Sequence, residues 1–165
     1  MACRGVLFAI TSEQAHRLKT ARGNDDAVLS QIQDEIEEAW DKDHLCETDK
    51  AWDAIHRCLT NGKLGFDGVE YPRNLCILGG EQMHEGDDYI VSLLTPDQVK
   101  EVSEALKPIT QEWLRSRYSG IDGDDYGLNL GDEDFDYTWE NFEDVREFYR
   151  KAASDGRWTI FTVDQ

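Results

Sequence analysis

One short helix with a defined stop constrains the fold of this chain more than any other feature. Within residues 49–62, the apolar side chains of Trp52, Ile55 and Leu59 recur at the spacing of one helical face. Gly62 follows, and glycine readily adopts the left-handed conformation that ends a helix. Because such a face must be covered, the stretch predicts a helix that packs against a core.

The polar residues of the same stretch suggest how this helix begins and which side faces water. Thr48 occupies a position typical of an N-cap, since its hydroxyl could accept a hydrogen bond from a free backbone N–H. Asp49, Asp53 and Arg57 fall on the side opposite the apolar stripe. We therefore expect these three charged side chains to be solvated.

Apolar periodicity and turn residues place further helices and strands along the chain. Strands are predicted over 4–10, 89–93 and 158–163, with a shorter apolar run, 75–78, as a further buried strand or the approach to one. Helices are predicted over 11–21, 25–40, 96–106, 110–118 and 138–153, with a loop over 61–74. Thr95 and Gln98 have the spacing of a capping box, and Pro96 lies at the first helical position. The pattern predicts an α+β fold with several helices packed on a small mixed β-sheet, and 165 residues suit one compact domain over 1–165.

A series of short motifs resembles the YfbM-like family, small bacterial proteins with a domain of unknown function. The motifs follow the family order: Gly5–Ile10 leading to Ser12-Glu13, Asp49–Asp53, Leu78-Gly79-Gly80, Leu94-Thr95-Pro96, Arg117-Tyr118 and Phe148–Ala153. One region departs from it, because Asp124–Gly127 stands where the family usually has an Ile-Tyr-Pro turn. The resemblance implies a single α+β domain and brings no catalytic residues with it.

The net charge of −18 restricts the partners that this chain can bind. A strongly anionic surface repels nucleic-acid backbones and anionic lipids and attracts basic proteins. We therefore predict a basic protein partner, with no direct nucleic-acid binding and no membrane association. The alternative is that the charge serves only to keep the protein in solution.

The cysteines indicate the compartment. Cys3, Cys46, Cys58 and Cys76 form no CxxC pair, and no long apolar run follows the N-terminus as a signal peptide requires. Scattered cysteines without an export signal are typical of reduced thiols, so we predict a cytoplasmic protein. No metal or cofactor is predicted.

An acidic segment is the first candidate binding site. Ten acidic residues and no Lys or Arg lie between Arg117 and Arg146. Aromatic residues interleave with the carboxylates, and aromatic anchors inside a charged rim are typical of a binding surface. The predicted site comprises Asp122, Asp124, Asp125, Tyr126, Asp132, Glu133, Asp134, Phe135, Asp136 and Tyr137. The alternative is that the three rings face inward and anchor the segment.

The same segment partly matches a calcium-binding loop. Asp122, Asp124, Gly127 and Glu133 occupy positions 1, 3, 6 and 12 of that pattern. Tyr126, however, stands where a small oxygen-bearing side chain is expected. An acidic surface loop that matches by chance is the simpler interpretation.

His56 is the second candidate, as a proton-transfer residue. It lies one turn after Trp52, and Asp53, three residues earlier, could tune its imidazole. A histidine hydrogen-bonded within the fold is the structural alternative.

These features lead to three functional hypotheses. The first is a non-catalytic acidic module that holds a basic protein, such as an inhibitor or an immunity-type protein. The second is an enzyme in which His56 acts with nearby carboxylates. The third is a mimic of nucleic acid, in which the carboxylates of residues 122–144 replace phosphates.

Overall fold

A computed structural model describes residues 3–66 and 70–165, so residues 67–69 of the predicted 61–74 loop and the first two residues of the predicted domain lie outside it. The strands are β1 (Gly5–Ile10), β2 (Leu45–Asp49), β3 (Glu81–Gln82), β4 (Tyr89–Leu94) and β5 (Trp158–Asp164). The helices are α1 (Ser12–Ala21), α2 (Asp25–Gln31, continued by a π-helical turn over Ile32–Glu37), α3 (Trp52–Leu59), α4 (Pro96–Leu106), α5 (Gln111–Tyr118), α6 (Gly123–Tyr126) and α7 (Asp132–Ser154). The predicted α+β class is confirmed.

The five strands form one sheet in the order β2-β1-β5-β4-β3. Its four pairings are all antiparallel, so the expectation of a mixed sheet is wrong for the described strands. Strand direction could not be read from the sequence because helices separate most neighbouring strands, and an apolar strand shows the same residue pattern in either direction.

Helices cover both faces of this sheet. On one face, Phe8 and Ile10 of β1 pack with residues of α1 and α2. On the other, Leu7 and Ala9 pack with residues of α3, α4, α5 and α7. Successive side chains of a strand point to opposite faces, so β1 is buried on both sides. The larger core lies between the sheet and α7, and it also positions the acidic segment.

The local capping predictions are confirmed. The Thr95 hydroxyl accepts a hydrogen bond from Gln98 N at 3.3 Å, and the Gln98 side chain accepts one from Thr95 N at 2.9 Å. Thr11 and Gln14 form the same reciprocal pair at the start of α1. Both boxes form because their partners are only three residues apart and need no tertiary contact.

Three local expectations are wrong. Thr48 lies in β2 and donates its hydroxyl to Gly5 O at 2.7 Å, so it does not cap α3. The strand alternative for residues 75–78 is wrong, because Leu75 ends a short 3-10 helix and residues 76–78 form turns that lead toward β3. Helix α7 begins at Asp132, six residues before the predicted start at 138. In the first and third cases a tertiary contact supplies what the local pattern lacks.

Among residues 3–66 and 70–165, no helix combines the length and the apolar character that crossing a membrane requires.

Removing the α4 capping hydroxyl should destabilise the protein measurably. We expect Thr95→Ala to lower the free energy of unfolding by about 1 kcal/mol, because Gln98 N loses its acceptor. Chemical denaturation measures this change. Thr95→Ser keeps the hydroxyl and should stay close to wild type, and equal losses in both variants would contradict a capping role.

Candidate acidic binding surface

The first part of the acidic segment is a four-residue helix rather than an open loop. Asp122 caps α6 by accepting a hydrogen bond from Asp124 N at 3.0 Å. Gly127 ends the helix in the left-handed conformation, with φ of 73°. This short turn fixes the directions in which Asp124 and Asp125 leave the backbone.

Two tyrosines attach the first turn of α7 to the core. The hydroxyl of Tyr118 donates to Asp134 Oδ2 at 2.6 Å, and the hydroxyl of Tyr126 donates to the same oxygen at 3.2 Å. Burial, followed by these contacts with Asp134, raises the pKa of both tyrosines, so both hydroxyls stay protonated and able to donate. Asp134 is therefore an internal acceptor rather than part of an outward rim.

The Arg57 side chain of α3 binds α6 and holds the two helices together. Its side chain is only 3% exposed, and its Nε and Nη1 atoms lie 2.5 Å from Asp53 Oδ1 and 2.6 Å from Asp125 Oδ2. Its guanidinium also lies over the Tyr126 ring, 5.6 Å from the centroid. Burial works against the charge, but the two carboxylates outweigh it and raise the pKa of Arg57. The expectation of a solvated Arg57 is wrong, because the acidic segment covers this side of α3.

A second arginine ties α5 to the first turn of α7 at the surface. Arg115 Nη2 lies 2.6 Å from Asp132 Oδ1, and the two side chains are 40% and 89% exposed. The guanidinium lies over the Phe135 ring, 4.8 Å from its centroid. Asp132 is thus partly neutralised although it faces water.

Two of the three predicted aromatic anchors are buried and the third, Tyr137, is half-buried against the core, so they do not form an exposed binding patch. Tyr126 and Phe135 are buried at 7% and 3% exposure. The Tyr137 hydroxyl donates to Asp49 Oδ2 at 2.6 Å and accepts from Lys50 N at 3.1 Å. The alternative in which these rings anchor the segment is the one that the structure has.

Four of the predicted residues remain as outward carboxylates. Asp122, Asp124, Glu133 and Asp136 are exposed, and none forms an ion pair with a described residue. Asp125 and Asp132 are also exposed but bind arginines, and Asp134 is half-buried. We call Asp122, Asp124, Glu133 and Asp136 the acidic surface. They are the part of the predicted site that could meet a partner.

The residues that match the calcium-loop pattern do not come together as ligands of one ion. Tyr126, at the fifth position of that pattern, turns its ring into the core and binds Asp134. Across residues 3–66 and 70–165, no group of three His, Cys, Asp or Glu side chains is placed to share a metal ion.

His56 is a buried residue of α3, and it does not bind the carboxylate that was expected to tune it. Its Nε2 lies 2.8 Å from Gly65 O and so carries the proton, while its Nδ1 has no hydrogen-bond partner within the described part of the chain. Asp53 binds Arg57 instead. Burial lowers the pKa of His56 to about 4, against the raising effect of the Gly65 carbonyl and with a further lowering by Arg57. The imidazole is therefore neutral at pH 7. The residue is only 1% exposed.

Three of the four cysteines, Cys46, Cys58 and Cys76, are buried in the core. Burial raises the pKa of Cys46 and Cys58 to about 12 and that of Cys76 further. Their thiols are protonated at neutral pH, and a protonated thiol is a poor nucleophile.

The sequence as a whole matches a known family. The family model covers residues 1–162. The chain belongs to the family described as Domain of unknown function (DUF1877). Its fold is similar to the crystal structure of a protein of unknown function, YfbM from Escherichia coli, with a TM-score of 0.69 and 19% identity over 97% of this chain and 99% of that one. The YfbM-like resemblance is thus confirmed, and at this identity the likeness shows the fold alone. No curated protein is significantly similar in sequence.

Sequence reasoning missed the two arginines that organise the acidic segment of this DUF1877 protein. A signal was present for Arg57, because Asp53 precedes it by four residues and apolar residues flank it on α3. Its second partner, Asp125, is 68 residues away, and no local pattern could indicate that contact.

Removing the Arg57 guanidinium should destabilise the protein strongly. We expect Arg57→Met to lower the free energy of unfolding by about 3–5 kcal/mol, because it leaves Asp53 without a counter-ion in a partly buried site. The double variant Asp53→Asn/Arg57→Met should recover part of the loss. Chemical denaturation measures both.

Arg115→Met provides the matched control, since it removes a guanidinium that also binds the acidic segment and stacks on an aromatic ring. Its ion pair is exposed, so we expect a loss of about 1 kcal/mol or less. If Arg57→Met and Arg115→Met lowered the free energy of unfolding equally, burial of Arg57 would not be what makes its ion pairs important for stability.

Burial of neutral His56 should make the protein less stable in acid. Its pKa lies below the unfolded value of 6.5, so its contribution is complete above pH 6.5 and is lost as pH falls toward 4. The loss should approach roughly 3 kcal/mol over that range. Unfolding free energies measured between pH 7 and 4 test this, with His56→Gln as the non-titrating control. Parallel pH profiles for the two proteins would refute it.

Proposed function

We propose that this DUF1877 protein is a non-catalytic acidic binding module that holds a basic protein partner, in the manner of an inhibitor or an immunity-type protein. The observation that carries the proposal is the acidic surface, four exposed carboxylates with no ion pair to a described residue on a chain of net charge −18. Carboxylates exposed in this way are free to pair with a partner's Lys and Arg side chains.

The support beneath the acidic surface favours binding. Asp125 and Asp132 are held by Arg57 and Arg115, and Asp134 by two tyrosines, so the backbone between them is fixed before a partner arrives. A surface that is already ordered loses less conformational entropy on association. The contacts inside the segment thus hold in place the backbone that carries the four exposed carboxylates.

The positions of the potential catalytic groups also favour a non-catalytic role. His56 is 1% exposed, and no carboxylate of residues 3–66 and 70–165 forms a hydrogen bond or an ion pair with it. A general base must lie within reach of a substrate proton. The enzyme hypothesis would require His56 to move within reach of a substrate, whereas the acidic module requires no such rearrangement.

A reducing compartment fits the same proposal, and we place the protein in the cytoplasm. Cys46, Cys58 and Cys76 are buried thiols that form no disulfide. A basic partner would accordingly be met inside the cell.

Affinity capture from a lysate of the source organism tests the proposed function. The bait variant Asp122→Asn/Asp124→Asn/Glu133→Gln/Asp136→Asn keeps the side-chain shapes and removes four charges. We expect wild-type bait to capture a basic protein at low salt, and the variant to associate with the purified partner at least roughly tenfold more slowly. Association rates measured across ionic strength by surface plasmon resonance give the comparison.

A second variant with the same net charge separates the acidic surface from bulk charge. It changes four exposed carboxylates elsewhere: Asp26→Asn, Glu38→Gln, Asp97→Asn and Asp155→Asn. This control should bind like wild type apart from a small loss of long-range attraction. The proposal fails if wild-type bait captures no basic protein, or if the two variants weaken binding equally. Displacement of the protein by DNA would favour the nucleic-acid mimic instead.

A further inference from the structure

A partly enclosed cavity of about 360 Å³ lies beside the start of β4, outside the acidic surface. Loop residues that precede β4 form one wall, and Phe66 and Gln165 contribute to the others. The side chains that matter here are Phe66, His84, Glu85, Asp87, Tyr89 and Gln165. Its volume is in the range of small-ligand sites, and it is large enough for one long side chain.

The charges around this cavity are negative. Glu85 and Asp87 are exposed at its rim, and neither forms an ion pair with a described residue. No Lys or Arg is among the described residues that line it. Behind the wall, Asp25 Oδ2 lies 3.7 Å from His84 Nε2, so any positive charge on His84 is matched by Asp25. A partly enclosed site concentrates this negative potential.

Aromatic rings supply the second feature. Phe66 is 51% exposed although it is a large apolar side chain, and it forms part of the cavity wall. Tyr89 is buried, with the His84 ring edge-on to it at 6.0 Å between centroids. An exposed ring beside unpaired carboxylates is the arrangement that attracts an organic cation, because the ring face carries negative charge density.

The wall that carries Glu85 is held in place. The backbone N–H groups of Glu85 and Gly86 each donate to the Asp25 carboxylate at 3.0 Å, and these contacts lower the pKa of Asp25. His84 Nδ1 lies 3.2 Å from Gly86 O in the same loop. Asp25 belongs to α2, so the loop is tied to a helix rather than left to move alone.

We infer that this cavity binds a guanidinium group. A guanidinium is planar, stacks on an aromatic ring and can donate to two carboxylates at once, whereas an ammonium is a strongly hydrated point charge. In the cell, the group would be an arginine side chain of the basic partner, and in that respect the inference rests on the proposed function. The cavity would then supply the specific contact that a field of exposed carboxylates lacks.

The test uses a small ligand and needs no partner. Nα-acetyl-L-arginine methylamide presents the guanidinium alone, and the matching citrulline derivative has the same shape without the charge. We expect saturable binding of the arginine derivative in an NMR titration, with shift changes centred on residues 84–90, and no saturation with the citrulline derivative.

Paired variants locate the site. Glu85→Gln/Asp87→Asn should weaken binding roughly tenfold, and Phe66→Ala roughly threefold or more. Asp122→Asn/Asp124→Asn removes the same number of charges from the acidic surface and should change affinity by less than about twofold. All four carboxylates are exposed, so the variants should fold normally, and NMR spectra verify this directly.

The inference is overturned by any of three results: no saturable binding to wild type, equal binding of the citrulline or the corresponding lysine derivative, or equal weakening by the two double variants. Because the ligand does not require the acidic surface, these results are separate from partner capture. Failure here leaves the proposed function standing, and failure of capture leaves this site standing.

Discussion

The ion pairs of the buried Arg57 guanidinium are the interaction on which the acidic end of this protein depends. A guanidinium that is 3% exposed has lost its water, and it is stable there only if carboxylates replace that water. Asp53 does so from the same helix, and Asp125 does so from α6. The second contact is what holds α6 to α3. A chain of net charge −18 thus uses one buried positive charge to order the segment where its negative charges are densest.

This order divides the segment into two sets of residues with different physical roles. Three carboxylates and three rings face arginines, tyrosines or the core, and they fix the backbone. The remaining carboxylates face water, where like charges repel one another. That repulsion would loosen a segment held only by its own helices. Exposed negative charge and a fixed backbone can coexist here because the inward contacts are charge-assisted hydrogen bonds, which are stronger than neutral ones.

The sheet places the Tyr137 contact of the acidic segment and the proposed guanidinium cavity at the same end of the strands. Asp49, which binds Tyr137 of α7, pairs with Gly5, and Gly5 pairs with Val163. Val163 and Asp164 in turn pair with Ile90 and Tyr89, at the cavity. Three strand spacings, roughly 14 Å, therefore separate β2 from β4 at this end.

The sequence by itself determined the elements whose stabilising contacts are local, together with the fold class and the family resemblance. Thr95 caps α4 from three residues away, the stripe of Trp52, Ile55 and Leu59 defines α3, and β1 and β5 follow from alternating side chains. The tertiary structure decided what depends on distant partners. It buried Arg57 against Asp125, turned Tyr126 and Phe135 inward, paired Asp53 with Arg57 rather than with His56, and brought Phe66, Glu85 and Asp87 to one cavity. The reason is that helical and strand periods report only which side of an element is apolar, whereas the environment of a charge is set by segments that may be 68 residues away.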